Sequence, residues 1–233
     1  HRDLHSFPTR RSSDLSNHKK FAVVLSGCGV YDGAEIHEAV MTLYAITKNG
    51  CTYQIFAPNI PQHHVVNHIN GNVMNEARNV LVESARIARG NIKPLSEFNP
   101  EFFDALIFPG GFGVAKNLSS WAFDSANCTV IPEVTKVIKD MYSAHKPIGA
   151  LCISPVLLAK VIGNVTITIG KDASTAKALE SIGAKHQQTG HGQVVVDERN
   201  MLFTTPCYML DATIVDIADG AKAIVSEMLK WMR

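Results

Sequence analysis

The stretch KPIGALCISPVLLAKVIG, residues 146–163, joins two apolar runs through a cysteine. Residues 146–152 form a short apolar run, which is typical of a buried strand. Ser154 and Pro155 are residues that helices favour at their first positions, so a helix is predicted over residues 154–163. The stretch therefore predicts a strand–turn–helix unit that carries Cys152 at its turn.

The same alternation of strand and helix extends through the rest of the chain. Further strands are predicted at 21–26, 51–58, 102–111 and 165–170. Further helices are predicted at 34–47, 73–89, 130–144, 174–183 and about 211–231. Apolar strands that alternate with helices indicate an α/β fold, with a mostly parallel sheet covered by helices on both faces.

The segment GQVVVDERNMLFTT, residues 192–205, differs from the other strands. Its two apolar runs are separated by a turn at residues 197–200, which predicts a short antiparallel hairpin at one edge of the sheet. No repeat or linker interrupts residues 19–233, so we expect a single α/β domain over that range.

The first fifteen residues, HRDLHSFPTRRSSDL, do not resemble the rest of the chain. They are rich in Arg and Ser, as transit peptides are, but Asp3 and Asp14 argue against that interpretation because transit peptides contain few acids. The run HSFPTRRSSDL resembles an in-frame translation of a sequencing adapter. We therefore expect residues 1–15 to be a non-native leader, and a genomic read that encodes them continuously with the rest would contradict this.

Charge and composition exclude several classes of protein. The 233 residues include 22 Lys and Arg and 21 Asp and Glu, and 46% of the residues are hydrophobic. Without residues 1–15 the two charge counts are equal at 19. A chain with no basic surplus is not expected to bind nucleic acid. Its apolar runs are shorter than the roughly 20 residues that span a bilayer, so no membrane association is expected.

The cysteine pattern favours free thiols. There are five cysteines and none forms a Cys-x-x-Cys pair, at positions 28, 51, 128, 152 and 207. An odd number without paired spacing indicates neither a disulfide framework nor a zinc site, and no metal is expected. The chain is therefore expected to work in a reducing compartment.

Candidate chemistry lies at the predicted carboxyl ends of the strands, where α/β proteins bind ligands. The loop 27–33, the turn 109–113 and Cys152 all follow strands and are expected at one rim of the sheet. A thiol at a strand-to-helix turn is expected to be exposed at the end of the sheet, as the nucleophile is in enzymes with such a turn. The helix N-terminus would favour its thiolate form. The alternative is a buried structural cysteine, a common role for free Cys.

Two further features could serve such a thiol. The glycines of the Pro109–Gly113 turn could direct backbone N–H groups at an oxyanion, although an ordinary tight turn has the same composition. Glu35 and Glu38 lie in the first turn of the first helix, where one could act as a general acid/base. Acids at a helix start are also explained by the helix dipole alone.

Nucleotide cofactors and histidine chemistry receive little support. The spacing G-x-G-x-x-x-G in residues 27–33 is not that of a dinucleotide fingerprint, and Gly170-Lys171 is not part of a P-loop. His37 is expected to face solvent, and a second group of histidines is expected in a solvated loop (His63, His64 and His68). His186 and His191 could approach Cys152, but spacing does not decide it.

Together these motifs resemble a known superfamily. GAEIHEAV (33–40), PGGFGVAKNLS (109–119) and a strand that ends at Cys152 are similar to the DJ-1/PfpI superfamily. LSGCGVYDGAEIHEAV (25–40), NEARNVLVESARIARG (75–90) and TTPCYML (204–210) resemble its ElbB branch, the isoprenoid biosynthesis glyoxalases. The resemblance covers residue 19 to the end of the chain.

The resemblance implies a flavodoxin-like three-layer sandwich, a fold shared with class I glutamine amidotransferases. It also implies that Cys152 is a nucleophile hydrogen-bonded to Glu38, with the N–H groups of Gly110 and Gly111 stabilising an oxyanion. The branch-specific residues expected to shape the pocket carry no assigned chemistry (Cys28, Tyr31, Asp32 and Asn79). Protease-like members have His after the cysteine, whereas this chain has Ile153, so a peptidase is not expected.

The implied activity is a cofactor-independent conversion of glyoxal, a small dicarbonyl, to glycolate, with deglycation as a related activity. A homodimer is a further expectation. The implied location is the cytoplasm for a bacterial protein and the mitochondrion for a eukaryotic one. Two alternatives stay open: a non-catalytic redox-sensing or binding module, and an amidohydrolase of the glutaminase type, which would need a histidine beside Cys152.

Overall fold

The computed structural model describes residues 18–232, so the predicted leader lies outside the described residues. The strands are β1 (Lys20–Val24), β2 (Thr52–Ala57), β3 (Ile92–Pro94), β4 (Ala105–Phe108), β5 (Ile148–Leu151), β6 (Thr166–Ile167), β7 (Lys185–His186), β8 (Val195–Asp197) and β9 (Leu202–Thr205). The α-helices are α1 (Ile36–Lys48), α2 (Val80–Ala88), α3 (Trp121–Asp124), α4 (Pro132–Ser143), α5 (Pro155–Ile162), α6 (Ala173–Ser181) and α7 (Ile214–Trp231).

Seven strands form one sheet in the order β3-β2-β1-β4-β5-β9-β8. The pairs along this sheet are parallel except β8 with β9, which is antiparallel. The predicted parallel sheet and its edge hairpin are therefore confirmed. β6 and β7 pair in parallel as a separate two-stranded sheet.

Side chains alternate between the two faces of the sheet, as successive residues of a strand must. Phe21 and Val23 of β1 pack on one face with buried residues of α1 and α7. Ala22 and Val24 pack on the other face with buried residues of α4 and α5. The result is the three-layer arrangement of a flavodoxin-like fold. Within residues 18–232, no helix has the length and apolar character needed to cross a membrane.

The helix predicted over 73–89 is wrong in its first half. α2 begins at Val80, and Asn79 caps it by accepting a hydrogen bond from the Val82 N–H at 3.1 Å. Val73 instead pairs with Val66 in an isolated antiparallel bridge. The apolar spacing of residues 73–79 is compatible with a helix, but their backbone forms hydrogen bonds with the preceding loop instead. Sequence periodicity gives no information about such bonds.

Two short strands were not predicted. β3 has three residues at the sheet edge, and β7 has two residues. Elements this short bury too few side chains to produce a periodic pattern. The predicted strand at 165–170 is real only over Thr166–Ile167, and it belongs to the smaller sheet.

The loop 27–33 and the turn 109–113 meet at the carboxyl rim, as predicted. The Phe112 N–H donates to the Val30 carbonyl and the Gly113 N–H donates to the Gly33 carbonyl, both at 2.8 Å. A Cβ on Gly111 would lie 2.4 Å from the Gly33 oxygen. Glycine is therefore required for this close approach.

The aromatic packing beneath β2 gives a test of the fold. Phe56 is buried and its ring meets those of Phe98 and Phe103 edge-on, with centroids 5.6 and 5.4 Å away. We expect Phe56→Ala to lower the free energy of unfolding by about 3–5 kcal/mol, because it leaves a cavity in the core. Phe102 is 67% exposed, so Phe102→Ala is the matched control, expected within about 0.5 kcal/mol of wild type. Equal urea midpoints for the two variants would contradict this account.

Candidate active site

Cys152 lies between β5 and α5 with φ of 59°, in the left-handed region that non-glycine residues rarely adopt. Its N–H donates to the Thr205 carbonyl at 2.9 Å, which continues the pairing of β5 with β9 past the end of β5. The predicted strand–turn–helix unit is thus present, and its turn is strained. Strain of this kind persists only where the surroundings hold it.

Ser154 has a different role from the predicted one. Its side chain does not cap α5; the Ser154 hydroxyl donates to the Pro109 carbonyl at 2.9 Å. This bond joins the turn that carries Cys152 to the Pro109–Gly113 turn. The two turns that hold the candidate site are therefore tied directly to each other.

Glu38 is fully buried beside Cys152. Its Oε2 accepts a hydrogen bond from the Gly110 N–H at 2.8 Å, and its Oε1 accepts one from the Tyr208 N–H at 3.2 Å. The carboxyl and the Cys152 thiol meet at Gly110, where a Cβ would lie 2.5 Å from Glu38 Oε2 and 3.0 Å from Cys152 Sγ. Burial, followed by the negative charge of Glu35, raises the pKa of Glu38 to about 8. The carboxyl therefore carries its proton at neutral pH.

The Cys152 thiol is only 7% exposed. Burial, and then the charge of Glu38, raise the pKa of the Cys152 thiol well above its ordinary value, against the opposing effect of the Gly111 and Ile153 N–H groups. The expectation that the helix N-terminus would favour a resting thiolate is therefore wrong, because burial outweighs the nearby amides. At rest the site holds a thiol next to a protonated carboxyl.

Gly110 is the point of closest approach. A Cβ on Gly110 would lie 2.4 Å from the Cys152 Cβ and 2.5 Å from Glu38 Oε2. The Gly110 N–H is already bonded to Glu38, so it is not free to stabilise an oxyanion. The amides that face the sulphur are those of Gly111 and Ile153.

The four predicted pocket residues hold loops together. Asp32 Oδ2 accepts from the Val66 N–H at 2.7 Å, and the Tyr31 N–H donates to His68 Nε2 at 3.2 Å. Cys28 is half-buried, and burial and then the charge of Glu83 raise the pKa of its thiol. Asn79 caps α2. Their contacts connect residues 27–33 with residues 59–79 and α2, and none of the four hydrogen-bonds to Cys152.

Histidine takes no part at the thiol. Among residues 18–232, no histidine hydrogen-bonds to Cys152, and His37 instead lies 2.8 Å from the Tyr208 hydroxyl on the exposed side of α1. In the loop after β2, the ring of His63 packs against the rings of His64 and Phe123. Within the part of the chain that the structure describes, no cluster of three or more His, Cys, Asp or Glu is placed to hold a metal ion.

Sequence reasoning missed Cys207 and Tyr208. Cys207 is buried with φ of 42°, and burial followed by the charges of Glu38 and Cys152 raises the pKa of its thiol well above the ordinary value. Both residues come directly after β9, which neighbours β5 in the sheet. The rule that placed Cys152 at the carboxyl rim would have placed TTPCYML there too.

Comparison with known proteins supports the resemblance seen in the sequence. Residues 24–209 match the family model described as the DJ-1/PfpI family. The rat protein "ES1 protein homolog, mitochondrial" is 47% identical over 221 residues, covering 91% of this chain and 83% of the relative. The human "Glutamine amidotransferase-like class 1 domain-containing protein 3, mitochondrial" is also 47% identical, with 91% of this chain and 82% of the relative covered.

Solved structures give the same result. A crystal structure of an isoprenoid biosynthesis protein with an amidotransferase-like domain from Ehrlichia chaffeensis has a TM-score of 0.87 and 37% identity, covering 92% of this chain and all of that one. Drosophila melanogaster DJ-1beta has a TM-score of 0.55 at 17% identity, with 91% of each chain covered, which shows a shared fold.

Strain at Cys152 can be measured without its chemistry. We expect Cys152→Gly to be more stable than Cys152→Ala by about 1 kcal/mol, because both remove the sulphur but only glycine accepts a positive φ freely. Ala150 lies in β5 and does not have a positive φ, so Ala150→Gly is the control. This change should lower the free energy of unfolding by about 0.5–1 kcal/mol. The strain argument fails if urea unfolding shows the alanine variant at position 152 to be the more stable of the two.

Proposed function

Since the chain belongs to the DJ-1/PfpI family, we propose that it is a cofactor-independent glyoxalase that converts glyoxal to glycolate through Cys152. The observation that carries the proposal is the burial of Glu38 and Cys152 side by side at Gly110, where a Cβ would lie 2.5 Å from Glu38 Oε2 and 3.0 Å from Cys152 Sγ. A carboxyl beside the nucleophile, whose pKa is raised by burial to about 8, supports a role as the proton acceptor. This is the arrangement that nucleophilic addition to a carbonyl requires.

The first step forms a bond between sulphur and an aldehyde carbon of glyoxal. Glu38, in its ionised form, takes the thiol proton as Sγ attacks, and the carbonyl electrons move to oxygen. The Gly111 and Ile153 N–H groups face the sulphur, and we propose that they donate to the new oxyanion. Glu38 then gives its proton to that oxygen, which leaves a neutral hemithioacetal.

The second step moves hydrogen between the two carbons. Glu38 removes the proton from the carbon bonded to sulphur and passes it to the oxygen of the second aldehyde, and the electron pair forms the double bond of an enediol. The hydroxyl on the sulphur-bearing carbon then loses its proton as the other carbon gains one, which gives a thioester of glycolate. Water hydrolyses the thioester to release glycolate and the free thiol. One carbon is oxidised and the other reduced, so glyoxal and one water balance the reaction without an external oxidant.

The charge around the site favours a small uncharged substrate. Glu38 is buried at the thiol and Glu35 is buried beside Glu38, and an ionised carboxylate at either position would repel a carboxylate or phosphate on the substrate. Deglycation of a thiol or amine adduct of glyoxal would begin with the same addition. From the names of the relatives, we also propose a mitochondrial location if the protein is eukaryotic, and a link to isoprenoid biosynthesis. The cytoplasmic location proposed for a bacterial protein rests on the sequence resemblance alone.

The rival functions make different demands on this site. A glutaminase-type amidohydrolase needs a histidine on the nucleophile, and none of residues 18–232 provides one. A non-catalytic redox sensor needs only that Cys152 be oxidised reversibly. The activity assay separates that hypothesis from the glyoxalase.

Glyoxal consumption and glycolate formation test the proposal. We expect Cys152→Ala to abolish turnover and Glu38→Gln to lower kcat by about 10²–10⁴, because an amide cannot take the thiol proton. Cys51→Ser and Glu101→Gln change the same residue types away from the site and should keep the wild-type rate. Equal rates in all five proteins would end the proposal. Oxidation of Cys152 that a thiol reductant reverses, in a protein without glyoxal turnover, would favour the redox sensor.

The pH dependence gives a second test. Since Glu38 must be ionised to accept the thiol proton and its pKa is about 8, kcat/KM should rise with pH through a midpoint near 8. Below that midpoint the carboxyl keeps its proton and the rate falls tenfold per pH unit. In Glu38→Gln the residual rate should lack this limb. A wild-type profile that is flat between pH 6 and 9 would be incompatible with Glu38 as the base.

A further inference from the structure

We propose that Glu35 is a positioning residue that makes Glu38 a base strong enough to take the proton of Cys152. The inference deepens the proposed function and rests on the role of Glu38 in it. Glu35 is not one of the groups that act directly on the Cys152 sulphur. It would therefore act through Glu38.

A closed ring of three hydrogen bonds joins Glu35, Gly110 and Glu38. The Glu35 N–H donates to the Gly110 carbonyl at 2.9 Å, and the Gly110 N–H donates to Glu38 Oε2 at 2.8 Å. The Glu38 N–H closes the ring by donating to Glu35 Oε2 at 2.7 Å. Glu35 is itself only 8% exposed. The ring fixes both carboxyls relative to the turn that touches Cys152.

Capping alone does not explain a glutamate at this position. Glu35 is the N-cap of α1, with an extended backbone at φ of −68° and ψ of 120°. Ser, Thr, Asp or Asn is the usual choice at an N-cap, because a short side chain reaches the free N–H groups. What Glu35 adds over a neutral cap is a negative charge held close to a second carboxyl.

Among residues 18–232, no cation is found to offset the effect of the Glu35 charge on Glu38. The groups that face the Glu38 carboxyl are Glu35 on α1, the Cys152 thiol, and the Gly110 and Tyr208 amides. Cys207 directly precedes Tyr208, and the Glu35 charge also raises the pKa of its thiol. His37 interacts with the Tyr208 hydroxyl. Of these groups, Glu35 is the one whose charge raises the pKa of Glu38.

The chemical consequence concerns the proton transfer itself. A carboxylate of ordinary pKa is a poor acceptor for the proton of a buried thiol, whose pKa is raised well above its usual value. A higher pKa of Glu38 reduces the difference between the pKa of the carboxyl and that of the Cys152 thiol, so the proton transfer becomes easier. Removal of the Glu35 charge should therefore weaken the base without removing Glu38 or Cys152.

The test observes Glu38 directly, apart from turnover. In Glu35→Gln the amide oxygen can still accept the Glu38 N–H, but the charge is gone. Carbon-13 NMR of glutamate-labelled full-length protein should show the Glu38 carboxyl titrating near pH 8 in wild type and about one pH unit lower in Glu35→Gln. The signal is assigned by its loss in Glu38→Gln. In the assay, the same variant should shift the pH limb to lower pH and reduce the plateau kcat, with KM retained.

Further variants keep the test decisive if Glu35→Gln disturbs the ring of hydrogen bonds between Glu35, Gly110 and Glu38. Glu35→Ser keeps an N-cap without charge and should move the midpoint as Glu35→Gln does, whereas Glu35→Asp keeps the charge and should restore most of the shift. Glu101→Gln, an exposed site, should leave the midpoint unchanged. An unmoved midpoint in both neutral variants overturns the proposal, even if glyoxal is turned over. A shifted midpoint in a protein that never consumes glyoxal refutes the glyoxalase and leaves the Glu35–Glu38 coupling established.

Discussion

The site depends on the approach of the Gly110 backbone to Cys152 and Glu38. β4 and β5 are parallel neighbours, so the turns that follow them emerge at the same rim. The absence of a side chain at Gly110 lets the first turn come within contact distance of the Cys152 Cβ, and the Ser154 hydroxyl holds the two turns together. A side chain at Gly110 would separate the carboxyl, the thiol and the amides that they share.

This approach creates a buried pocket of acids and thiols. Glu38, Cys152 and Cys207 are each raised in pKa first by burial, and each then by the charge of a neighbouring acid. Groups of this kind stay buried in their neutral forms, because ionising more than one of them would place like charges together. The backbone N–H groups of Tyr208 and Gly110, together with the Cys152 thiol, lower the pKa of Glu38, and those of Gly111 and Ile153 lower the pKa of Cys152. In the proposed function these groups exchange protons, and their burial costs some stability.

Local patterns in the sequence predict the framework of this site but not its contacts. The apolar run before Cys152 and the Ser-Pro pair after it are sufficient to predict a strand, a turn and a helix, because each depends on neighbouring residues. The partner of the Ser154 hydroxyl, the bond from Gly110 to Glu38 and the place of Tyr208 depend on residues 45, 72 and 170 positions apart. Such bonds follow from the order of strands in the sheet, and periodicity carries no information about that order. The start of α2 at Val80 was missed for the same reason.

The absence of a histidine at the thiol among residues 18–232 becomes understandable from the same electrostatics. A base for thiol chemistry needs a pKa near the working pH, which imidazole has without help and a carboxyl reaches only in special surroundings. Glu38 reaches about 8 through burial and through Glu35. The two bases differ in the charge of the protonated form, since imidazolium is a cation and a carboxylic acid is neutral. In a pocket this enclosed, a neutral conjugate acid costs less desolvation after each proton transfer. Ile153, in the place where protease-like relatives carry histidine, adds apolar surface beside the thiol and strengthens the burial on which that tuning depends.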